Sequence, residues 1–100
     1  MKFKLYEKTK IFIYSPANID TGGPTDLHQL AYILRKKFKK KTYISYYPSS
    51  KKNPIHKNYR LFKIPFVNKI PDSKENILII PEAFHFIQMS KNYKYIQKGL

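Results

Sequence analysis

KIFIYSPANIDTGGPTDLHQLAYILRKKF, residues 10–38, decides how this chain is read. Ile11, Phe12, Ile13 and Tyr14 form a short apolar run rich in β-branched and aromatic side chains. Such a run suits a strand covered on both faces. A helix is expected to start at Pro24, whose fixed φ and missing N–H fit the first helical position. That start puts Asp26 in the first turn, at the positive end of the helix dipole. Leu27, Leu30, Ala31, Leu34 and Phe38 then share one stripe, with Lys36, Lys39 and Lys40 opposite. Between strand and helix lie Asn18, Ile19, Asp20, Thr21, Gly22 and Gly23. The pattern aims a helix N-terminus, through two glycines, at the carboxyl end of a buried strand, where open α/β sheets bind ligands.

Working outward, residues 42–47 alternate and are rich in aromatic and β-branched side chains, which makes a second strand. Strand, helix and strand form a βαβ unit, whose strands run parallel. Residues 48–54 are turn chemistry throughout. Residues 59–67 read as a weaker third strand, and Pro65 inside it argues for an edge or a bend. Residues 76–80 carry four consecutive apolar side chains and read as a central strand. A short helix over 83–89 follows, with Phe84, Ile87 and Met89 inward. Residues 90–100 are rich in lysine and tyrosine and carry no assigned element. The expected fold is a single α/β domain over residues 1–100. It is a three-layer, Rossmann-like half domain with a parallel sheet of about four strands.

With 42% hydrophobic and 16% aromatic residues, the chain has the material for a core. No apolar run approaches the ~20 residues that span a bilayer, and the first residues carry no secretory pattern. Cysteine is absent, so no disulfide framework or thiolate metal site exists, which is compatible with the cytoplasm. The net charge of +14 comes almost entirely from lysine; Arg35 and Arg60 are the only arginines. Base readout and bidentate phosphate clamps favour arginine, so nucleic acid is disfavoured as a partner. Contact with an anionic membrane surface needs no special geometry, and residues 36–41 are the densest cluster for it. The plainer account of that cluster is a solvated helix end whose cations complement the dipole.

The glycine pair has two readings. It lets a ligand approach the backbone with no Cβ in the way, in front of unpaired helical N–H groups, or it makes a tight turn that needs positive φ. The spacing is neither a dinucleotide fingerprint nor a P-loop. Asp20 and Asp26 flank it and suit sugar hydroxyls better than an anion. His28, about 100° around the helix from Leu27, reaches the loop mouth or, as the favoured alternative, faces water. Glu82 and His85 follow the central strand and form a second corner, either a general-base or hydroxyl-binding pair or an ordinary helix start. The His and acidic residues show no zinc spacing.

Residues 18–24 with Leu27, Leu30, Ala31 and Leu34, and the Ile79-Ile80-Pro81-Glu82 strand end, resemble the N-terminal domain of GT-B glycosyltransferases. The nearest likeness is to the bacterial retaining enzymes that build capsule, O-antigen and other surface polysaccharides. The resemblance implies a Rossmann-like acceptor-side domain, with Thr21, Gly22 and Gly23 in the loop that approaches the donor diphosphate. It makes Glu82 and His85 cleft-lining and catalytic candidates, and Asp20, Asp26 and His28 contacts for acceptor or sugar. It implies a nucleotide-sugar donor, a glycan or lipid-linked acceptor, no metal, and no cofactor besides the donor. One departure is that Pro24 and Thr25 intervene before Asp26, where the family often has an acid directly after the glycines. The donor-binding half does not fit in 100 residues, so a C-terminal domain or separate chain is expected as partner, and the chain alone is expected to be inactive. The expected location is the cytoplasm, with peripheral contact at the inner face of the membrane. The alternative is a small basic module that binds nucleic acid or an anionic membrane surface. A third reading is a Rossmann-like half domain with no ligand.

Overall fold

The computed structural model describes residues 3–19, 22–48 and 53–99. Its elements, in chain order, are strand β1 (Lys10–Pro16), helix α1 (Gly22–Lys36), strand β2 (Lys41–Tyr47), a 3-10 helix (Lys57–Phe62), strand β3 (Ile77–Ile79), helix α2 (Phe84–Ser90) and strand β4 (Gln97–Gly99). The four strands form one sheet in the order β2-β1-β3-β4. Every pairing is parallel, with Ile13 level with Ile44 on one side and with Ile79 on the other. The α/β class, the parallel sheet and the layering thus follow the expectation from sequence.

Strand alternation splits the core into two layers. Ile11 and Ile13 point to the α1 face, where they meet Ala17, Ala31, Ile44, Tyr46, Ile64 and Ile77. Phe12 and Tyr14 point the other way, to Ile70, Leu78, Ile80, Phe86 and Ile96. Both faces of β1 are therefore apolar, which is why its sequence is a continuous run rather than an alternating one.

Several details differ from the sequence-based expectation. Helix α1 begins at Gly22 rather than Pro24. Pro24 is still tolerated, because the N–H groups of the first turn have no intrahelical partner to lose. Asp26 consequently falls beyond the first turn, which holds no acid. The helix ends at Lys36, Lys39 adopts a left-handed φ of 55°, and the Lys40 N–H returns to the Leu34 carbonyl at 2.9 Å. Phe38 therefore leaves the helical stripe and is exposed.

The third strand shrinks to one bridge. Ile44 pairs in parallel with Phe66, through Ile44 N to the Pro65 carbonyl at 3.1 Å and Val67 N to the Ile44 carbonyl at 2.9 Å. It sits on the outer edge of β2, as the internal proline requires. Residues 59–62 are 3-10 instead of extended, because the His56 ring accepts from Asn58 N and starts a turn there. With the Phe66 bridge included, the lateral order matches the 3-2-1-4-5 part of a Rossmann sheet.

The remaining strand is β4, in the stretch that carried no assigned element. Its sequence, QKG, holds no β-branched residue. Asp72 positions it, accepting from the backbone N–H groups of Lys94, Tyr95 and Ile96 at 2.8–2.9 Å. Burial pushes the Asp72 carboxyl upward, but those three donors and Lys98 outweigh it and hold it below its ordinary value. In α2 Phe86 is fully buried, Met89 is half-buried and packed on the same core as expected, and Ile87 is exposed rather than inward; the Phe84 side chain lies outside what the structure describes.

Candidate functional site at the carboxyl edge of the sheet

Strands β2 and β3 lie on opposite sides of β1. The connection after β1 thus leaves one way and the chain later returns the other way. That makes the carboxyl end of β1 a topological switch point, the usual ligand crevice of such sheets. Three chain segments meet there. The Ala17 N–H donates to the Tyr47 carbonyl at 2.8 Å, and the Asn18 N–H to the Pro54 carbonyl at 2.6 Å. Asn18 takes a left-handed φ of 50°, a conformation that asparagine accepts more readily than most residues.

Gly22 and Gly23 form the start of α1 rather than a turn before it. No described glycine has positive φ. A Cβ built on Gly23 would meet no atom within 4 Å. The tight-turn reading therefore fails for Gly23: neither its backbone nor its neighbours require glycine. Asp26 is exposed on the same helix. Asp20 and Thr21 lie outside the described residues.

His28 neither faces water nor reaches the loop mouth. It is 1% exposed and is the centre of a buried polar cluster. Nδ1 lies 2.6 Å from the Pro24 carbonyl and Nε2 2.7 Å from the Tyr46 hydroxyl. A carbonyl only accepts, so Nδ1 carries the proton and the Tyr46 O–H donates to Nε2. The Tyr59 ring stacks on the imidazole at 4.0 Å, nearly parallel at 14°, and its hydroxyl lies 2.9 Å from Thr25 Oγ1. Burial lowers the His28 pKa below its ordinary value, against the smaller opposing pull of the Pro24 carbonyl. Burial likewise raises Tyr46, reinforced by Tyr59. Both groups are thereby held neutral, which the hydrogen bond between them requires. The cluster fixes the amino end of α1 against the carboxyl end of β2. At the other end of α1, Arg35 Nη1 donates to the Thr42 carbonyl at 2.7 Å. The signal in the sequence was the stripe Pro24, His28, Ala31, Arg35, spaced four, three and four apart.

Glu82 is exposed in the bend after β3, and His85 is exposed on α2. The structure brings His85 to Tyr47, ring centroids 4.9 Å apart, and both lean on Phe86. Tyr47 is 44% exposed. Its signal in the sequence is its position as the last residue of β2, level with Pro16. His28 and His85 belong to different layers, because α1 and α2 pack on opposite faces. The rim therefore offers a side-chain-free helix start near the exit of β1 and an aromatic ledge of Tyr47 and His85 with Glu82 near it in sequence. Among the described residues, no group of three or more His, Asp or Glu is placed to hold a metal ion. None of their helices is long and apolar enough to cross a membrane. The chain is similar to no family model, no curated protein and no solved structure in the comparisons made with each.

Proposed function

We propose that this chain is the acceptor-side, Rossmann-like half of a GT-B glycosyltransferase of the surface-polysaccharide type. It works with a donor-binding half to move a sugar from a nucleotide-sugar onto a glycan or lipid-linked acceptor. The observation that carries the reading is Gly23: an exposed glycine at the start of a helix, beside the switch point, with no conformational or packing need for glycine. Glycine there costs helix stability relative to alanine, about 1 kcal/mol. A ligand that must approach the backbone closely gives that cost a purpose.

The division of roles follows from chemistry. The bond from the sugar's anomeric carbon to the diphosphate breaks, and charge grows on the leaving oxygen. The first-turn N–H groups around Gly22 and Gly23, with Thr21, stabilise that charge. The acceptor hydroxyl binds at Glu82 and His85, one of which takes its proton as the new glycosidic bond forms. Asp20 and Asp26 contact sugar hydroxyls. His28 has no contact role; it holds the helix whose start meets the diphosphate.

An NMR titration of the chain with UDP, GDP and their sugar esters at millimolar concentration tests this. The expected result is amide shifts at Gly23, Thr25 and Asn18, with weak affinity, since a helix terminus contributes about 0.3–2 kcal/mol to anion binding. Absence of any shift at the carboxyl edge overturns the proposal.

A further inference from the structure

The opposite end of the sheet holds a cleft that the proposed reaction does not use. Its volume is about 540 Å³, and Glu7, Lys8, Lys10, Lys39, Lys40 and Lys41 line it. These lysines come from two segments: the turn before β1 with the first residue of β1 (Lys8, Lys10), and the end of the α1–β2 connection with the first residue of β2 (Lys39, Lys40, Lys41). A solvated charge run would come from one segment only; here the fold brings two segments together that are distant in sequence.

Hydrogen bonds fasten the backbone beneath these lysines. Tyr6 N donates to Thr9 Oγ1 at 2.7 Å and Thr9 N to the Tyr6 carbonyl at 3.2 Å, closing the turn that carries Lys8. Lys10 N donates to Asn76 Oδ1 at 3.2 Å. Thr42 Oγ1 donates to the Lys40 carbonyl at 3.1 Å, next to the left-handed Lys39. Lys10 and Lys41 are register partners across the β1–β2 pair. Like charges at facing positions repel and destabilise a sheet. The carboxyl end of α1 does not account for them, because Arg35 and Lys36 already occupy its last turn. Five lysines against one carboxylate therefore make the cleft strongly positive.

We propose that this amino edge is an anion site that holds a small, multiply phosphorylated group, either a free polyphosphate or the phosphorylated headgroup of a lipid. Its volume falls in the ~300–1,000 Å³ range of small-molecule sites. Lysines act as mobile point charges, which suit a cluster of phosphates better than the planar, bidentate geometry that arginine serves. A concave cleft of this size fits a compact anion and not the extended backbone of a nucleic acid. The site is independent of the sugar-transfer reading and lies at the other end of the strands.

Calorimetric titration of the whole chain with tripolyphosphate and with inositol hexakisphosphate, at low ionic strength, tests it. Vesicles of phosphatidylcholine, with and without a phosphorylated inositol lipid, form the second arm. Saturable binding of the free anions without vesicle capture assigns a soluble ligand; capture only by the phosphorylated vesicles assigns a headgroup. The Lys10→Gln/Lys41→Gln pair is expected to weaken binding about tenfold or more. Lys69→Gln/Lys91→Gln, an equal loss of charge at exposed sites elsewhere, is expected to weaken it less than about twofold. The first pair is also expected to melt no lower than the unmodified chain, so a folding defect does not mimic the result. Three outcomes overturn the proposal: equal weakening by both pairs, no saturable binding in either arm, or tighter binding of a DNA duplex that is indifferent to Lys10 and Lys41.

Discussion

Helices α1 and α2 cover the same sheet and are held to it by different means. Helix α1 has 15 residues, yet its most buried stripe includes a proline, a histidine and an alanine, and ends at an arginine. Polar contacts fasten it at both ends, His28 to Tyr46 and Arg35 to the Thr42 carbonyl. Helix α2 has seven residues, too few to be stable by itself. Its fully buried anchor among the described side chains is Phe86, stacked on Tyr14 at 5.5 Å and touching Tyr47 edge-on at 6.0 Å, with Met89 packed on the same core. Burial, reinforced by the neighbouring Tyr93, raises the pKa of the Tyr14 hydroxyl and holds it neutral. The comparison separates two tasks of a core. Apolar area supplies most of the adhesion, whereas directional polar contacts decide where along the sheet a helix stops.

The largest effect is expected at Phe86, the fully buried apolar side chain described in α2. Phe86→Ala should cost about 3–5 kcal/mol, read by denaturant unfolding, with loss of the near-ultraviolet signal from Tyr14 and Tyr47. A loss below about 1 kcal/mol would show that α2 is held by something else. His28→Leu should cost less, about 1–3 kcal/mol, because it keeps apolar contact with the Tyr59 ring but leaves the Tyr46 hydroxyl buried without its acceptor.

His28 also gives the α1 side a pH dependence. Its folded pKa is depressed, so below its ordinary value of 6.5 the unfolded chain binds the proton first. Stability should therefore fall as pH drops below about 6.5 and level off beneath the folded value. The slope should vanish in His28→Leu and persist in Phe86→Ala. If both variants keep it, the histidine is not its source.

Asp72→Asn should act locally. It removes the charge that gathers the N–H groups of Lys94, Tyr95 and Ile96, so their hydrogen exchange should accelerate while that of Ile13 does not change. Because the Asp72 pKa is depressed, its contribution is present above the ordinary carboxylate value and is lost as pH falls through the lower folded one. Exchange at 94–96 that stays unchanged at neutral pH would contradict this account of β4. The smallest effect has the opposite sign. Gly23→Ala should stabilise the chain by about 0.5–1 kcal/mol, because the new methyl meets open space and alanine favours the helix. Destabilisation would restore a structural role for the glycine.

Strands β1 and β2 were legible because continuous apolar or aromatic sequence has few other uses. The phase of α1 was harder. Leu30 and Phe38 look like core residues and His28 and Arg35 like surface, but the fold exposes the first two, buries His28 and half-buries Arg35. What reverses them is a hydroxyl on β2 and a carbonyl at its start, which no helical period reveals. Pro65 correctly announced an edge, whereas the alternation around Tyr59 and Leu61 suggested a strand where a 3-10 turn forms. Strand β4 was illegible, since its order comes from a carboxylate 25 residues earlier, at Asp72 relative to Gln97. At the rim, Gly23 and His85 were legible as candidates, but Tyr47 acquires its place only when two loops and a helix converge.

The Phe66 bridge and the short β4 make the two flanks of the sheet unequal. The β2 flank is occupied at its middle by residues 65–67. On the β4 flank, Gln97 and Gly99 turn their peptide groups inward to β3 and its neighbours, which leaves those of Lys98 directed outward. Among the described residues, the β4 flank thus offers a further strand the peptide groups of one residue. That residue carries an ammonium group, a known deterrent to stray strand pairing. A correct extra strand would have to accommodate that guard, and misfolded neighbours would be turned away by it.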